Sequence, residues 1–385
     1  MSLSLSKRSA SIVQSEIRTM SIECEKVKGV NLSQGVCDME VPLAVRQGAH
    51  GAIEQGINSY TRYDGLPELR AAISEKMERY NQIRCDPESQ IVVSGGSTGA
   101  FYCACLALLN PGDEVILFEP YYGYHVNTLL AVEAVPTYVT MQPPDWTFTL
   151  ADLEQAITAR TRGIMINTPA NPSGKVFSRP ELQWILDCSV RHDLFVFTDE
   201  IYEYFLYDNL LHLSPGSLPG AAERTITISG FSKTYSITGW RIGYSISDPK
   251  WTQMIGYMND LVYVCAPAPL QIGVARGIAE LGEAYYRSLC AEFGRKREKI
   301  CSALVFAGLT PYIPQGSYYI LADVSRLPGA TSKEKAMYLL RETGVASVPG
   351  EAFYHAGGGE NLVRFCFAKT DEDLDDACDR LRRLA

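Results

Sequence analysis

Ser229–Tyr244 reads S-G-F-S-K-T-Y-S-I-T-G-W-R-I-G-Y. Just before it, Thr225–Ser229 alternates Ile226 and Ile228 with polar neighbours, the period of a strand. Lys233 therefore falls just past a strand end, beside Ser232, Thr234 and Tyr235, where α/β folds place ligand chemistry. Arg241 follows inside G-W-R-I-G, and Trp240–Ile246 reads as a further strand. An isolated lysine in such a turn is ordinarily a surface side chain. The meaning of Lys233 depends on what else the chain supplies.

Working outward, four more apolar runs end at chemically loaded loops. Gln90–Val93 is a short strand, Ser94–Gly99 a glycine-rich turn, and Ala100–Leu109 an apolar helix stopped by N-P-G-D. Free backbone N–H groups at such a turn and the positive end of the helix both favour an anion. The same residues, Gly95-Gly96-Ser97-Thr98-Gly99, also match G-x-S-x-G. That is the nucleophile elbow of serine hydrolases, for which His355 is a candidate partner. Glu114–Phe118 leads to E-P-Y-Y-G-Y-H, and Gly163–Asn167 to T-P-A-N-P-S-G-K, at minimum a turn. Leu194–Thr198 is continuously apolar, as in the middle of a parallel sheet, and runs into Asp199-Glu200-Ile201-Tyr202. A carboxylate in that setting is costly unless paired. Arg364 lies amid apolar neighbours in L-V-R-F-C-F-A, which points to a bound anion.

Taken in order, these segments resemble the class I/II aminotransferases, enzymes of pyridoxal phosphate, from about Asn31 to Arg364. The resemblance implies a pyridoxal-phosphate-dependent transferase of the type I fold. Its large domain, about 46–285, holds a mostly parallel sheet of the seven-stranded type between helices. A smaller α+β domain combines 1–45 with 286–385. Lys233 is then expected to hold the cofactor as a Schiff base and Arg241 to hold its phosphate, with Gly96, Ser97 and Thr98 around it. Tyr122 is expected to stack on the cofactor ring, and Asn171 and Tyr202 to bond its ring oxygen. Asp199 is expected to pair with the pyridine nitrogen, supported by His125. Gly35 leaves room for substrate, Asn171 lies beside it, and Arg364 forks onto the substrate carboxylate. Tyr60, in Y-T-R-Y-D-G-L-P-E-L-R, reaches the phosphate of a neighbouring subunit, which implies a homodimer with shared sites. One departure stands out. Many members have a serine three residues before the lysine, where this chain has Gly230; Ser229 and Ser232 are the alternatives.

The implied reaction carries an amino group from an L-amino acid to a 2-oxo acid through Lys233, by a ping-pong mechanism. A carbon–sulfur lyase or aminocyclopropane-carboxylate synthase on the same fold is the nearest rival, a serine hydrolase at Ser97 the next. A transcription regulator built on this fold would need a DNA-binding domain, for which no room is expected before Asn31. R-F-C-F-A-K resembles the kynurenine, glutamine and methionine branch, whereas His125 resembles the aspartate branch.

Composition agrees with a globular enzyme. The chain has 385 residues, 46% hydrophobic and 21% charged, with net charge −9. That balance argues against a general nucleic-acid or anionic-membrane surface. No run of about 18 apolar residues suggests a membrane span, and the N-terminus lacks the apolar core of a secretory signal. Eleven scattered cysteines without C-x-x-C point to a reducing, cytoplasmic setting. Five histidines without paired ligand spacing give no metal site.

Overall fold

Phe195–Asp199 is buried along its whole length because it lies in the middle of a seven-stranded sheet. The strand order is Ile91–Gly95, Ile242–Ile246, Thr225–Gly230, Phe195–Asp199, Thr161–Asn167, Glu114–Glu119 and Val135–Thr140. Ile242–Ile246 runs antiparallel to both its neighbours, and the other six are parallel to one another. The structure, a computed structural model, describes residues 4–12 and 14–385.

Alternate side chains of the central strands enter different cores. Phe195, Phe197, Met165, Ile226 and Ile228 pack with Phe101 and Ala104 of helix Gly96–Leu108. Val196, Ile164 and Ile166 pack with Leu182, Ile185 and Leu186 of helix Arg179–Arg191. With helices on both faces, strands of a parallel sheet lose the apolar–polar alternation of a solvated sheet. Their carboxyl ends then deliver Asp199, Asn167 and the loop after Gly230 to one edge.

A second sheet is antiparallel, in the order Val348–Pro349, Leu362–Cys366, Tyr319–Asp323, Thr310–Tyr312. Helices Glu283–Phe306, Ser332–Thr343 and Asp371–Leu381 share its core. Met20 and Cys24 of helix Glu16–Lys26 join that core, and Val30–Asn31 pairs with Val345–Ala346.

Two helices, Lys7–Ser11 and Glu16–Lys26, precede Val30–Asn31, the second capped by Ser15. One boundary is corrected. Helix Gly96–Leu108 begins four residues earlier than Ala100, so Ser97 and Thr98 lie in its first turn. Val135–Thr140 is a strand that hydropathy did not mark: it is an edge strand, half-exposed, and contains Pro136. Among the described residues no helix is long and apolar enough to cross a membrane.

Candidate active site

The turn entering helix Gly96–Leu108 is locked from three sides. Gly96 has φ +78°, and a Cβ there would lie 2.3 Å from Nη2 of Arg241. A Cβ on Gly243 would lie 2.4 Å from the Ser97 nitrogen. Arg241, itself at φ 58°, donates from Nη1 to the Thr238 carbonyl at 3.0 Å and from Nη2 to the Gly95 carbonyl at 3.2 Å. Glycines are thus required where two chain segments and a guanidinium meet. The first-turn N–H groups of the helix have no intrahelical partner, and Arg241 adds a cation beside them.

These groups open onto a cavity of about 210 Å³ that also exposes Asp199, Tyr202, Ser232, Lys233 and Tyr122. Asp199 accepts from the Ile201 N–H at 3.2 Å through Oδ1, and its Oδ2 lies 2.9 Å from Nε2 of His125. His125 is buried, edge-on to Phe101 and Tyr122. The carboxylate is therefore paired, as its buried position demands. Lys233 Nζ donates to the Gly35 carbonyl at 3.0 Å and lies 6.0 Å from the Tyr318 ring centre. Burial lowers its pKa from the ordinary lysine value, which favours the neutral, nucleophilic amine.

A second cavity, about 470 Å³, shares Tyr122, Tyr202 and Lys233 with the first and adds Gly35, Asn171 and Tyr319. Asn171 donates its N–H to Asn167 Oδ1 at 2.7 Å, between cis peptides at Thr168–Pro169 and Asn171–Pro172. Its Oδ1 accepts from Nη1 of Arg364 at 2.9 Å. Arg364 is fully buried, with its guanidinium 4.3 Å from the Tyr319 ring centre and 5.2 Å from that of Phe353. Its Nη2 donates to the Ser33 carbonyl at 2.5 Å, and its Nε has no hydrogen-bond partner among the described residues. A buried cation with an unused donor, and no carboxylate paired with it among the described residues, is poised for an anion.

Lys233, Gly96, Ser97, Thr98, Tyr122, Asn171, Asp199, Tyr202, Ser232, Arg241, Gly35, Arg364 and His125 thus lie in or directly behind two adjoining cavities. Tyr60 does not: it lines neither and is 83% exposed. Of the two serines weighed for Gly230, Ser229 turns inward and donates to Glu203 Oε1 at 3.0 Å, whereas Ser232 lines the cavity. A Cβ at Gly230 would press on Gly243 Cα at 3.0 Å. The hydrolase reading fails on geometry. His355 lies 2.8 Å from Glu119 and stacks on Tyr138 at 4.1 Å, and no histidine lines the cavity holding Ser97. Sequence reasoning missed Tyr319. Its place beside Arg364 depends on the pairing of Tyr319–Asp323 with Leu362–Cys366, which no local motif announces. A larger cavity of about 630 Å³, lined by Tyr80, Tyr204, His212 and Tyr286, contains none of the residues singled out in the sequence.

The profile described as Aminotransferase class I and II matches residues 27–381. The chain belongs to the class I and II aminotransferases. An aspartate aminotransferase from Pyrococcus abyssi is 34% identical over 99% of this chain and 98% of that one. Kynurenine–oxoglutarate transaminase 3 from Rattus norvegicus is 35% identical over 90% of this chain and 83% of its own length. The structure of N-succinyldiaminopimelate aminotransferase from Mycobacterium tuberculosis superposes with a TM-score of 0.95 at 33% identity, covering 99% and 100% of the two chains. The cofactor of such an aminotransferase is pyridoxal 5′-phosphate. The residues fit it: a glycine cradle that a Cβ would fill, a guanidinium beside free N–H groups, a paired carboxylate, and a buried amine between the two cavities.

Proposed function

We propose that this aminotransferase works in two half-reactions at one site, with Lys233 as both the attachment point of the cofactor and the group that moves the substrate's α-proton. The observation that carries this is the position of the Lys233 amine, desolvated and bordering both cavities. In this reading Arg241, Ser97, Thr98, Ser232 and the Gly96 turn hold the phosphate. Tyr122 would pack on the ring, and Asn171 and Tyr202 would bond its oxygen. Asp199, oriented by His125, pairs with the ring nitrogen. The bound cofactor supplies the electron sink for the α-carbon. Arg364 takes the α-carboxylate of the amino acid and then of the 2-oxo acid, so both substrates are held alike. As a neutral amine, Lys233 would take the α-proton as base and return it as acid. Lys233→Ala is expected to retain cofactor but lose transamination by about 100-fold or more; near-normal turnover overturns the assignment.

A homodimer completes the reading. Thr98 and Arg241 face solvent in the single chain. Nearby, Tyr60 (83% exposed), Leu261 (80%) and Val264 (40%) form an apolar edge, joined where the Thr61 N–H meets Cys265 Sγ. A second copy of the chain covers that edge and brings its Tyr60 to the phosphate. The division into domains 46–285 and 1–45 with 286–385 is supported by Met20 and Cys24 packing in the core of the second sheet. A cytoplasmic setting is supported by eleven cysteines without a disulfide.

A further inference from the structure

Tyr319 was singled out by no motif, yet it touches both functional ends of the substrate cavity. Its ring supports the Arg364 guanidinium at 4.3 Å, and the two residues lie on one face of neighbouring antiparallel strands, with Leu321 opposite Arg364. Phe353 also approaches the same guanidinium, at 5.2 Å, so two rings contact the fork. The Tyr319 hydroxyl lies 3.1 Å from the Tyr202 hydroxyl, with the rings edge-on at 87°. Gly35 makes this reach possible: a Cβ there would lie 1.9 Å from the Tyr319 hydroxyl oxygen. The same Gly35 accepts from Lys233 and, at 3.4 Å, from Tyr318.

We propose that Tyr319 is a positioning residue with two separable jobs, its ring face orienting Arg364 and its hydroxyl setting the direction of the Tyr202 hydrogen bond. The inference rests on the roles given above to Arg364 and Tyr202. Each phenol has one proton to give, and burial keeps both protonated at neutral pH, the Tyr319 pKa being pushed up to about 12. If Tyr202 donates to the cofactor's ring oxygen, the hydrogen bond between the phenols must run from Tyr319 to Tyr202. That donor polarises the Tyr202 O–H and strengthens its own donation. The ring of Tyr319 acts independently: it fixes the plane in which Arg364 can present two parallel N–H groups to a carboxylate.

Two variants separate the jobs in the cofactor-loaded protein. Tyr319→Phe keeps the ring and removes the hydroxyl. It is expected to raise the pH midpoint of the visible cofactor band by a few tenths of a unit, because a weaker donor leaves the ring oxygen better able to hold its neighbouring proton. Its dissociation constant for an α-methyl amino acid, which has no α-proton to lose, should stay within about twofold, since the stacked ring is unchanged. Tyr319→Leu removes both features and is expected to weaken that dissociation constant roughly 5- to 30-fold as well. An unmoved midpoint in Tyr319→Phe overturns the hydroxyl job, and an unmoved dissociation constant in Tyr319→Leu overturns the ring job. Should the leucine variant not fold, Tyr319→Met fills the space without a flat ring, and an unmoved dissociation constant there overturns the ring job in the same way. Tyr202→Phe and Arg364→Ala are the reference variants. If the first leaves the midpoint unmoved or the second leaves the dissociation constant unmoved, the underlying site assignment fails, not the role of Tyr319.

Discussion

Replacing Gly96 by alanine tests the phosphate cradle with one methyl group. The new Cβ would lie 2.3 Å from Nη2 and 2.7 Å from Cζ of Arg241, and the backbone would keep a φ of +78°. Left-handed geometry costs a non-glycine residue about 1–2 kcal/mol. That strain is present with and without cofactor, so it lowers stability but cancels from affinity. The contact with Arg241 behaves differently. A guanidinium at the end of a flexible side chain swings away at small packing cost, so the loss falls on what the guanidinium binds. Losing one charge-assisted hydrogen bond costs about 1.5–3 kcal/mol, or roughly a 10- to 150-fold weaker Kd for pyridoxal phosphate. The assay is equilibrium titration of the apoprotein, read by the visible band. Gly123→Ala is the control, because its Cβ meets nothing within 4 Å; its Kd should match the parent. The decisive comparison is a double-mutant cycle with Arg241→Ala. If Gly96→Ala acts by displacing Arg241, it adds little affinity loss once the arginine is gone. Full additivity, or an unchanged Kd in Gly96→Ala alone, refutes the reasoning.

Other expectations follow from the same geometry. Arg364→Lys keeps the charge but loses the fork that Tyr319 and Phe353 contact. Steady-state kinetics should show KM for the amino acid raised roughly 10- to 150-fold with kcat little changed; a large fall in kcat at constant KM contradicts this. Burial lowers the Lys233 pKa below 10.5. Between the folded value and 10.5 the unfolded chain therefore binds the extra proton, and apoprotein stability gains from rising pH across that window. Denaturant titrations should show wild type gaining on Lys233→Ala as pH rises, and a gap that narrows opposes the assigned shift. Leu261→Asp places a charge on the exposed edge beside Tyr60. Sedimentation should find monomers with little activity, and a fully active dimer would remove that edge from the interface.

What the sequence made legible was local. Lys233, Asp199 and Asn171 each follow an apolar run, and such runs, placed in a parallel sheet, must deliver their ends to one edge; Arg241 reaches the same edge from the start of the antiparallel strand Ile242–Ile246. The three-residue offset from Tyr122 to His125 places the imidazole under Asp199 because Gly123–Ala131 is helical and its first turn points that way. Three features were not legible. Ser229 could not be told from Ser232, because only the strand pairing shows that Ser229 faces Glu203. The edge strand Val135–Thr140 has little apolar signal because one side of it meets solvent. Gly35 marked a requirement for space, but the atom needing that space is the hydroxyl of a residue 284 positions later, Tyr319. Contacts across such separations belong to the packing of sheets and leave no motif behind.

The central claim is that one buried amine exchanges an amino group between substrate and cofactor. The most direct measurement loads the protein with pyridoxal phosphate and titrates it with single L-amino acids, no 2-oxo acid present, following the visible band. The account predicts that a suitable donor bleaches the band with one equivalent of 2-oxo acid released per site and no free ammonia, and that added 2-oxo acid restores it; the fastest donor identifies the substrate. A band that persists while ammonia and pyruvate accumulate would contradict transfer and identify a lyase instead.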